Sequence, residues 1–187
     1  MAAPDWSTVP TPEDDGACKH LSGAAFASVR LPTTAGDGET IDPSSLPGLT
    51  VLFFYPRTAA PGETVPDHWN SIPGARGCTP QACSFRDASD ELAKHGVAQI
   101  LGVSTQSSTY QRELKERTHL PYEILSDEKL ELATAMKLPT FDWEGKKLVK
   151  RLTLAVEDGK VIKVFYPVFP PDKSADEVLK WLRARKV

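Results

Sequence analysis

Apolar and polar positions follow two different periods along the chain. Leu49–Tyr55 (LTVLFFY) is apolar throughout and rich in β-branched and aromatic side chains, the pattern of a strand buried on both faces. Val97–Ser104 reads the same way. Between them Thr79-Pro80 reads as a helix N-cap and first position, because proline has no N–H to leave unpaired there. Ala82, Phe85 and Leu92 lie near one face of that helix, and Gly96 is its stop. Ser108–Thr118 has the spacing of an amphipathic helix, with Tyr110 and Leu114 four apart. Glu123–Leu125 predicts a short strand, and Asp127 a cap for a helix carrying Leu130, Ala133 and Met136. Arg151–Val156 and Val161–Tyr166 flank Asp158-Gly159, a hairpin turn signal. Ser174 with Glu177 three residues on predicts a capping box for a last helix whose apolar face is Val178, Leu179 and Leu182. Near the start, Ser28–Leu31 and Thr40–Ile41 flank a turn at Gly36-Asp37-Gly38.

A strand–helix–strand–helix half joined to a hairpin half predicts an α/β domain with a central mixed sheet and helices on both faces. The pattern alone leaves several α/β sheets open. Residues 1–20 read as a flexible N-terminal arm and residues 21–187 as one domain. Residues 56–77 carry four prolines and three glycines and no regular period. Loops longer than about 12–15 residues are usually functional or disordered, and Trp69 and Ile72 argue here for packing. Lys146, Lys147, Lys150 and Arg151 read as a turn and strand edge with only Arg151 turned inward.

Composition narrows the class. With 187 residues, 40% of them hydrophobic and 25% charged, the chain can bury a core of one domain. A net charge of −3 argues against a general nucleic-acid or membrane-surface binder. No apolar run approaches the roughly 20 residues of a membrane span. The acidic, Pro-rich start has neither signal nor transit character, and the ending is not a peroxisomal or ER-retention signal. The expectation is a cytoplasmic protein. Three cysteines, Cys18, Cys78 and Cys83, are too few and too odd for a secreted disulfide framework. The four histidines are scattered without ligand spacing, and no Gly-rich phosphate loop is present, so no metal or cofactor is expected.

Cys78 falls where a loop feeds a helix. The unpaired N–H groups and dipole of that end favour an anion, as does Arg76 two residues upstream, and the thiolate is the nucleophilic form. Cys83 lies five residues later. On an intact helix that spacing puts the Cα atoms about 8–9 Å apart, beyond the roughly 7 Å a disulfide tolerates. The pair can bridge only if the helix start unwinds, which costs little compared with opening a core element.

The block Gly77-Cys-Thr-Pro-Gln-Ala-Cys-Ser-Phe-Arg-Asp87, following Phe54-Tyr55-Pro56, resembles the peroxiredoxins, most closely the peroxiredoxin Q or bacterioferritin comigratory type. The resemblance runs from about residue 22 to the end of the chain. It implies a thioredoxin-like fold and a thiol peroxidase acting on hydrogen peroxide or alkyl hydroperoxides. By the match Cys78 is the attacking (peroxidatic) cysteine and Cys83 the resolving one, closing an intramolecular disulfide. Arg151 matches the arginine beside the thiolate, and Pro56 the proline that shields the site. The implied partners are a peroxide and thioredoxin or a similar dithiol; the state is a monomer or homodimer.

Three features depart from the family pattern. Twenty-two positions separate Pro56 from Cys78 where the pattern has seven, so about fifteen are inserted. The pattern's threonine is replaced by Ala60 counted forward, or Ala75 counted back, which makes Thr58 the first candidate for the peroxide-orienting hydroxyl and Thr64 the second. Gln81 stands where the family usually has a glutamate that helps hold the arginine; an amide keeps one acceptor and loses the charge. Two other readings stay open at this point: a redox relay that passes its disulfide to a partner, and a non-catalytic thioredoxin-like binding module.

Overall fold

The structure, a computed structural model, describes residues 5–185. In chain order its elements are β1 (Leu31–Pro32), β2 (Thr40–Ile41), β3 (Leu49–Phe54), α1 (Asp67–Asn70), α2 (Cys78–Asp87), α3 (Ser89–Lys94), β4 (Val97–Ser104) and α4 (Ser108–Thr118). There follow β5 (Glu123–Ser126), α5 (Glu131–Ala135), β6 (Thr140–Trp143), β7 (Lys146–Val149), β8 (Leu152–Glu157), β9 (Lys160–Phe165) and α6 (Ser174–Ala184). Among the described residues no helix is long and apolar enough to cross a membrane.

The central sheet has the order β5-β4-β3-β8-β9. β3 pairs in parallel with β4 and antiparallel with β8, so the sheet is mixed, as the strand order predicts. All six residues of β3 are buried, and they alternate between two cores. Val51, Phe53 and the following Tyr55 face α2, α3, α4 and α6. Leu52 and Phe54 face α5, the hairpin end at Val149 and the segment from Cys18 to Leu31. Asp158 and Gly159 both take positive φ, 47° and 75°, which is the two-residue turn that closes β8 onto β9 with the native strand twist.

Several local expectations shift. The helix predicted from Thr79 begins at Cys78, with Gly77 as its N-cap, and breaks near Ala88 into α2 and α3. Asp127 caps α5 from a distance: its carboxylate accepts from the N–H groups of Leu132 (3.0 Å) and Ala133 (2.8 Å), because Leu130 is left-handed and delays the helix. Ser174 makes no capping box; its hydroxyl points inward. The arm expected from residues 1–20 is, from residue 5 on, laid against the domain; residues 1–4 lie outside the described residues. Val9 and Cys18 are buried, and Asp15 joins Lys150 (2.8 Å) and the Tyr166 hydroxyl (2.9 Å), contacts that hold its carboxyl down to about 2.

The inserted segment is packed. Its one-turn helix α1 buries Trp69 edge-on against Trp143, with ring centroids 5.0 Å apart, and Ile72, Ala75, Phe141 and Leu148 complete a small third core. The Arg57 guanidinium lies 4.7 Å from the Trp143 ring centre and pairs with Glu63 at 3.0 Å. The insertion therefore rests on the β6–β7 hairpin, and its last residues, 74–77, lead directly into α2.

Candidate active site

Three elements bring the site together: the start of α2, the residue before β8, and the end of the insertion. Cys78 is the first residue of α2 and is buried. Its predecessor Gly77 has φ +104°, a conformation in which an L side chain is strained. A Cβ there would come within 2.6 Å of the Trp6 ring and 2.7 Å of Pro171, so the arm and the Pro171 turn close over the helix start. A Gly77→Ala variant is expected to lose about 2 kcal/mol of stability through this strain and overlap. A lowered midpoint in urea unfolding checks it; an unchanged midpoint would show that the turn is not held this way.

Arg151, also buried, reaches the sulfur. It precedes β8, and the two-residue period places Arg151, Thr153 and Ala155 on the sheet face that meets α2 and α6. One guanidinium nitrogen, Nη2, donates to Cys78 Sγ at 3.2 Å and to the carbonyls of Ala75 (3.1 Å) and Arg76 (3.2 Å). Nε donates to the Gly74 carbonyl at 3.2 Å, and Nη1 donates to Gln81 Oε1. The insertion thus ends in a ring of carbonyls that holds the guanidinium beside the sulfur. Among the described residues Arg151 makes no ion pair with a carboxylate. Arg76, the cation expected upstream of the cysteine, is exposed; it serves through its carbonyl.

Pro56 is buried directly after Tyr55. Tyr55 shares the core cluster of Cys78, and its burial pushes the phenol well above its usual range, so it stays protonated. Thr58 is buried, but its hydroxyl donates to Gln106 Oε1 (3.3 Å), its N–H donates to the same oxygen (2.8 Å), and Gln106 Nε2 returns a bond to its carbonyl (3.0 Å). A hydroxyl has a single donor, and here it fastens the loop to Gln106. Its one proton is thus engaged with Gln106, so a peroxide-orienting role for Thr58 would have to use its acceptor lone pairs.

Cys83 is partly exposed and, with Cys78, carries a free thiol. Both lie on one uninterrupted helix, five residues and about 140° apart around its axis. The far half of α2 is pinned: Phe85 stacks on Phe53 (4.7 Å between centroids), the Tyr122 hydroxyl donates to the Ala82 carbonyl (2.6 Å), and Arg86 donates to the Thr118 carbonyl (2.8 Å). Thr79 and Pro80, in the first turn, are only partly buried.

Sequence reasoning missed Gln106 and the inward Ser174. The alternation Arg151-Leu-Thr-Leu-Ala155 carries a usable signal, since it sets a small polar residue opposite a helix. Among the described residues no group of three or more histidine, cysteine, aspartate or glutamate side chains is placed to hold a metal ion.

Residues 21–179 match the Redoxin family. The chain is 32% identical to the chloroplastic peroxiredoxin Q of Suaeda salsa over 150 residues, 79% of this chain and 62% of that protein's length. It is 31% identical to the chloroplastic peroxiredoxin Q of Arabidopsis thaliana over 173 residues, 88% of this chain and 72% of that one. It superposes on the crystal structure of peroxidoxin BcpB from Mycobacterium tuberculosis with a TM-score of 0.71 at 30% identity, covering 89% of this chain and 99% of that one.

Proposed function

The chain belongs to the redoxin family and, within it, to the peroxiredoxins of the Q type, and from that premise we propose that it is a thiol peroxidase with Cys78 as the attacking sulfur. The observation that carries this reading is the 3.2 Å contact between Cys78 Sγ and a buried arginine that, among the described residues, no carboxylate neutralises. The Cys78 thiolate attacks one peroxide oxygen, the O–O bond breaks, and the departing oxygen leaves as water or an alcohol after taking a proton. Arg151 stabilises the thiolate and the charge that grows on the two oxygens, donating from a fixed position. Pro56 and Tyr55 keep bulk water from the sulfur.

The sulfenic acid on Cys78 then condenses with the Cys83 thiol, releasing water and forming a disulfide within one chain. The first turn of α2 must unwind for this, and the pinned far half supports an opening confined to residues 78–81. An external dithiol, thioredoxin or a similar protein, supplies the two electrons that restore both thiols. Both cysteines sit on one chain, so the cycle needs no second copy. Free thiols and a dithiol reductant suit a reducing compartment, in keeping with the cytoplasmic location expected from the sequence.

The test is a Cys83→Ser variant mixed with hydrogen peroxide and then with a sulfenic-acid trapping reagent. The parent is expected to lose two thiols per chain and to give no trapped adduct at completion. The variant is expected to lose one thiol, to form no intrachain disulfide, and to carry the trapping mass on the peptide containing Cys78. A disulfide in the variant, or trapping elsewhere, would overturn the assignment of Cys83.

A further inference from the structure

Gln81 is fully buried in the first turns of α2, and both ends of its amide are engaged. Arg151 has only donors to offer, so the end of the amide that meets it must be the oxygen. The nitrogen therefore points away, and it donates to Ser174 Oγ at 3.3 Å. The Ser174 hydroxyl also shares a hydrogen bond with Thr153 Oγ1, 3.2 Å away, in which either oxygen can donate. Ser174 and Thr153 are themselves buried, at 4% and 0% exposure, so water offers neither a substitute partner. The result is an uncharged relay, directed from Arg151 through Gln81 to Ser174 and continued by the shared Ser174–Thr153 hydrogen bond, that links β8, α2 and α6.

We propose that Ser174 is a positioning residue for the reaction of Cys78, holding the Gln81 amide in the orientation that fixes Arg151 against the sulfur. The proposal rests on the reading of Cys78 as the attacking sulfur. Its consequence is electrostatic as well as geometric. With neutral groups at every other partner of the guanidinium, the sulfur is where its charge is answered, and a thiolate there is the one anion in contact with it. Without the Ser174 hydroxyl, the buried amide nitrogen has no acceptor. The amide can then rotate, and rotation would set its N–H groups against the donors of Arg151.

Among the described residues the ionisable group in hydrogen-bond contact with the sulfur is Arg151, before β8; Tyr55, after β3, shares its core cluster, and burial keeps its phenol neutral. On the turn at residues 171–173 and on α6, both packed against α2, the charged side chains near this end are Asp172, Lys173, Asp176 and Glu177. Lys173 pairs with Asp176 at 3.2 Å, and among the described residues none of the four hydrogen-bonds or ion-pairs with Arg151 or Cys78.

The test compares the parent with Ser174→Ala, Ser174→Thr and Thr153→Val by two readouts. One is the rate constant of the first step with hydrogen peroxide. The other is the pH profile of Cys78 alkylation by iodoacetamide, which reads the thiolate whether or not the protein reduces peroxides. Ser174→Ala is expected to slow the first step about tenfold and to move the alkylation midpoint to higher pH; a tenfold loss corresponds to about 1.4 kcal/mol. Thr153→Val is expected to do the same more weakly, and Ser174→Thr, which keeps the hydroxyl, to return most of both. A Ser174→Ala protein that is merely easier to unfold, with the parent's rate and alkylation profile, would overturn the proposal. So would failure of Ser174→Thr to rescue a folded protein. A parent that alkylates with the expected profile but does not react with peroxide would instead overturn the peroxidase reading.

Discussion

Cys78→Ser is expected to abolish peroxide reduction, a loss on the order of a thousandfold or more, the scale seen when a nucleophile is removed from a site that acts as a unit. A serine hydroxyl fits the space of the buried thiol at the head of α2, so the fold should survive. It cannot ionise near neutral pH, and its oxygen is a far poorer nucleophile toward a peroxide than a thiolate. The contact with Arg151 would persist as a neutral hydrogen bond with no reactive electron pair behind it. Stopped-flow tryptophan fluorescence after mixing with hydrogen peroxide, followed by a thiol count, checks this. The parent should show a fast change, absent in the variant, whose remaining thiols should react only at the rate of free cysteine. Turnover at the parent's rate would place the peroxide chemistry elsewhere and return the choice to a redox relay or a binding module.

Arg151→Met should be the next most damaging change, and it should act on both stability and rate. The side chain is buried and donates to three loop carbonyls, the Gln81 amide and the sulfur. Methionine fills much of the volume and supplies no donor. The carbonyls at 74–76 would then lose their guanidinium donor, a cost of about 1–3 kcal/mol for each buried group left unpaired. A loss of about 3 kcal/mol in urea unfolding follows. The first step with peroxide should slow by about a hundredfold, as when a fixed donor to a developing oxyanion is removed. Arg151→Lys keeps the charge but not the planar fork, and should recover more stability than rate, since one ammonium cannot serve five acceptors on three sides. A variant destabilised yet reacting at the parent's rate would confine Arg151 to a structural role.

How much of this was legible beforehand depended on the range of the interactions involved. β4 and α4 lie where the sequence places them, and β3 stops one residue short at Phe54, because burial on two faces or on one stripe imprints a period on consecutive residues. The turn at Asp158-Gly159 was equally local, since few residues tolerate two successive positive φ values. The cysteine pair could be read from its spacing on a helix and from the block of residues around it. Boundaries set by distant packing were not legible. Gly77 replaced Thr79 as the cap because Trp6 and Pro171, from opposite ends of the chain, close on that turn. Ser174 has the sequence of a capping box, yet its hydroxyl serves Gln81, 93 positions away. Thr58 looked available because nothing near it in sequence announces Gln106.

By itself, then, the sequence determined a mixed α/β sheet, a cysteine at a helix start, a second cysteine that can reach it only when that helix opens, and an arginine at the head of a strand. These follow from periodicity, caps and spacing, which act over a turn or two of chain. Only the tertiary structure decided that the insertion packs on the β6–β7 hairpin and delivers three carbonyls to Arg151. It alone decided that the guanidinium is held by neutral groups, and that Ser174 and Thr153 complete the relay behind it. Those arrangements depend on where separate elements meet, and a hydrogen bond between residues 70 or 90 positions apart leaves no mark on the local pattern of either one.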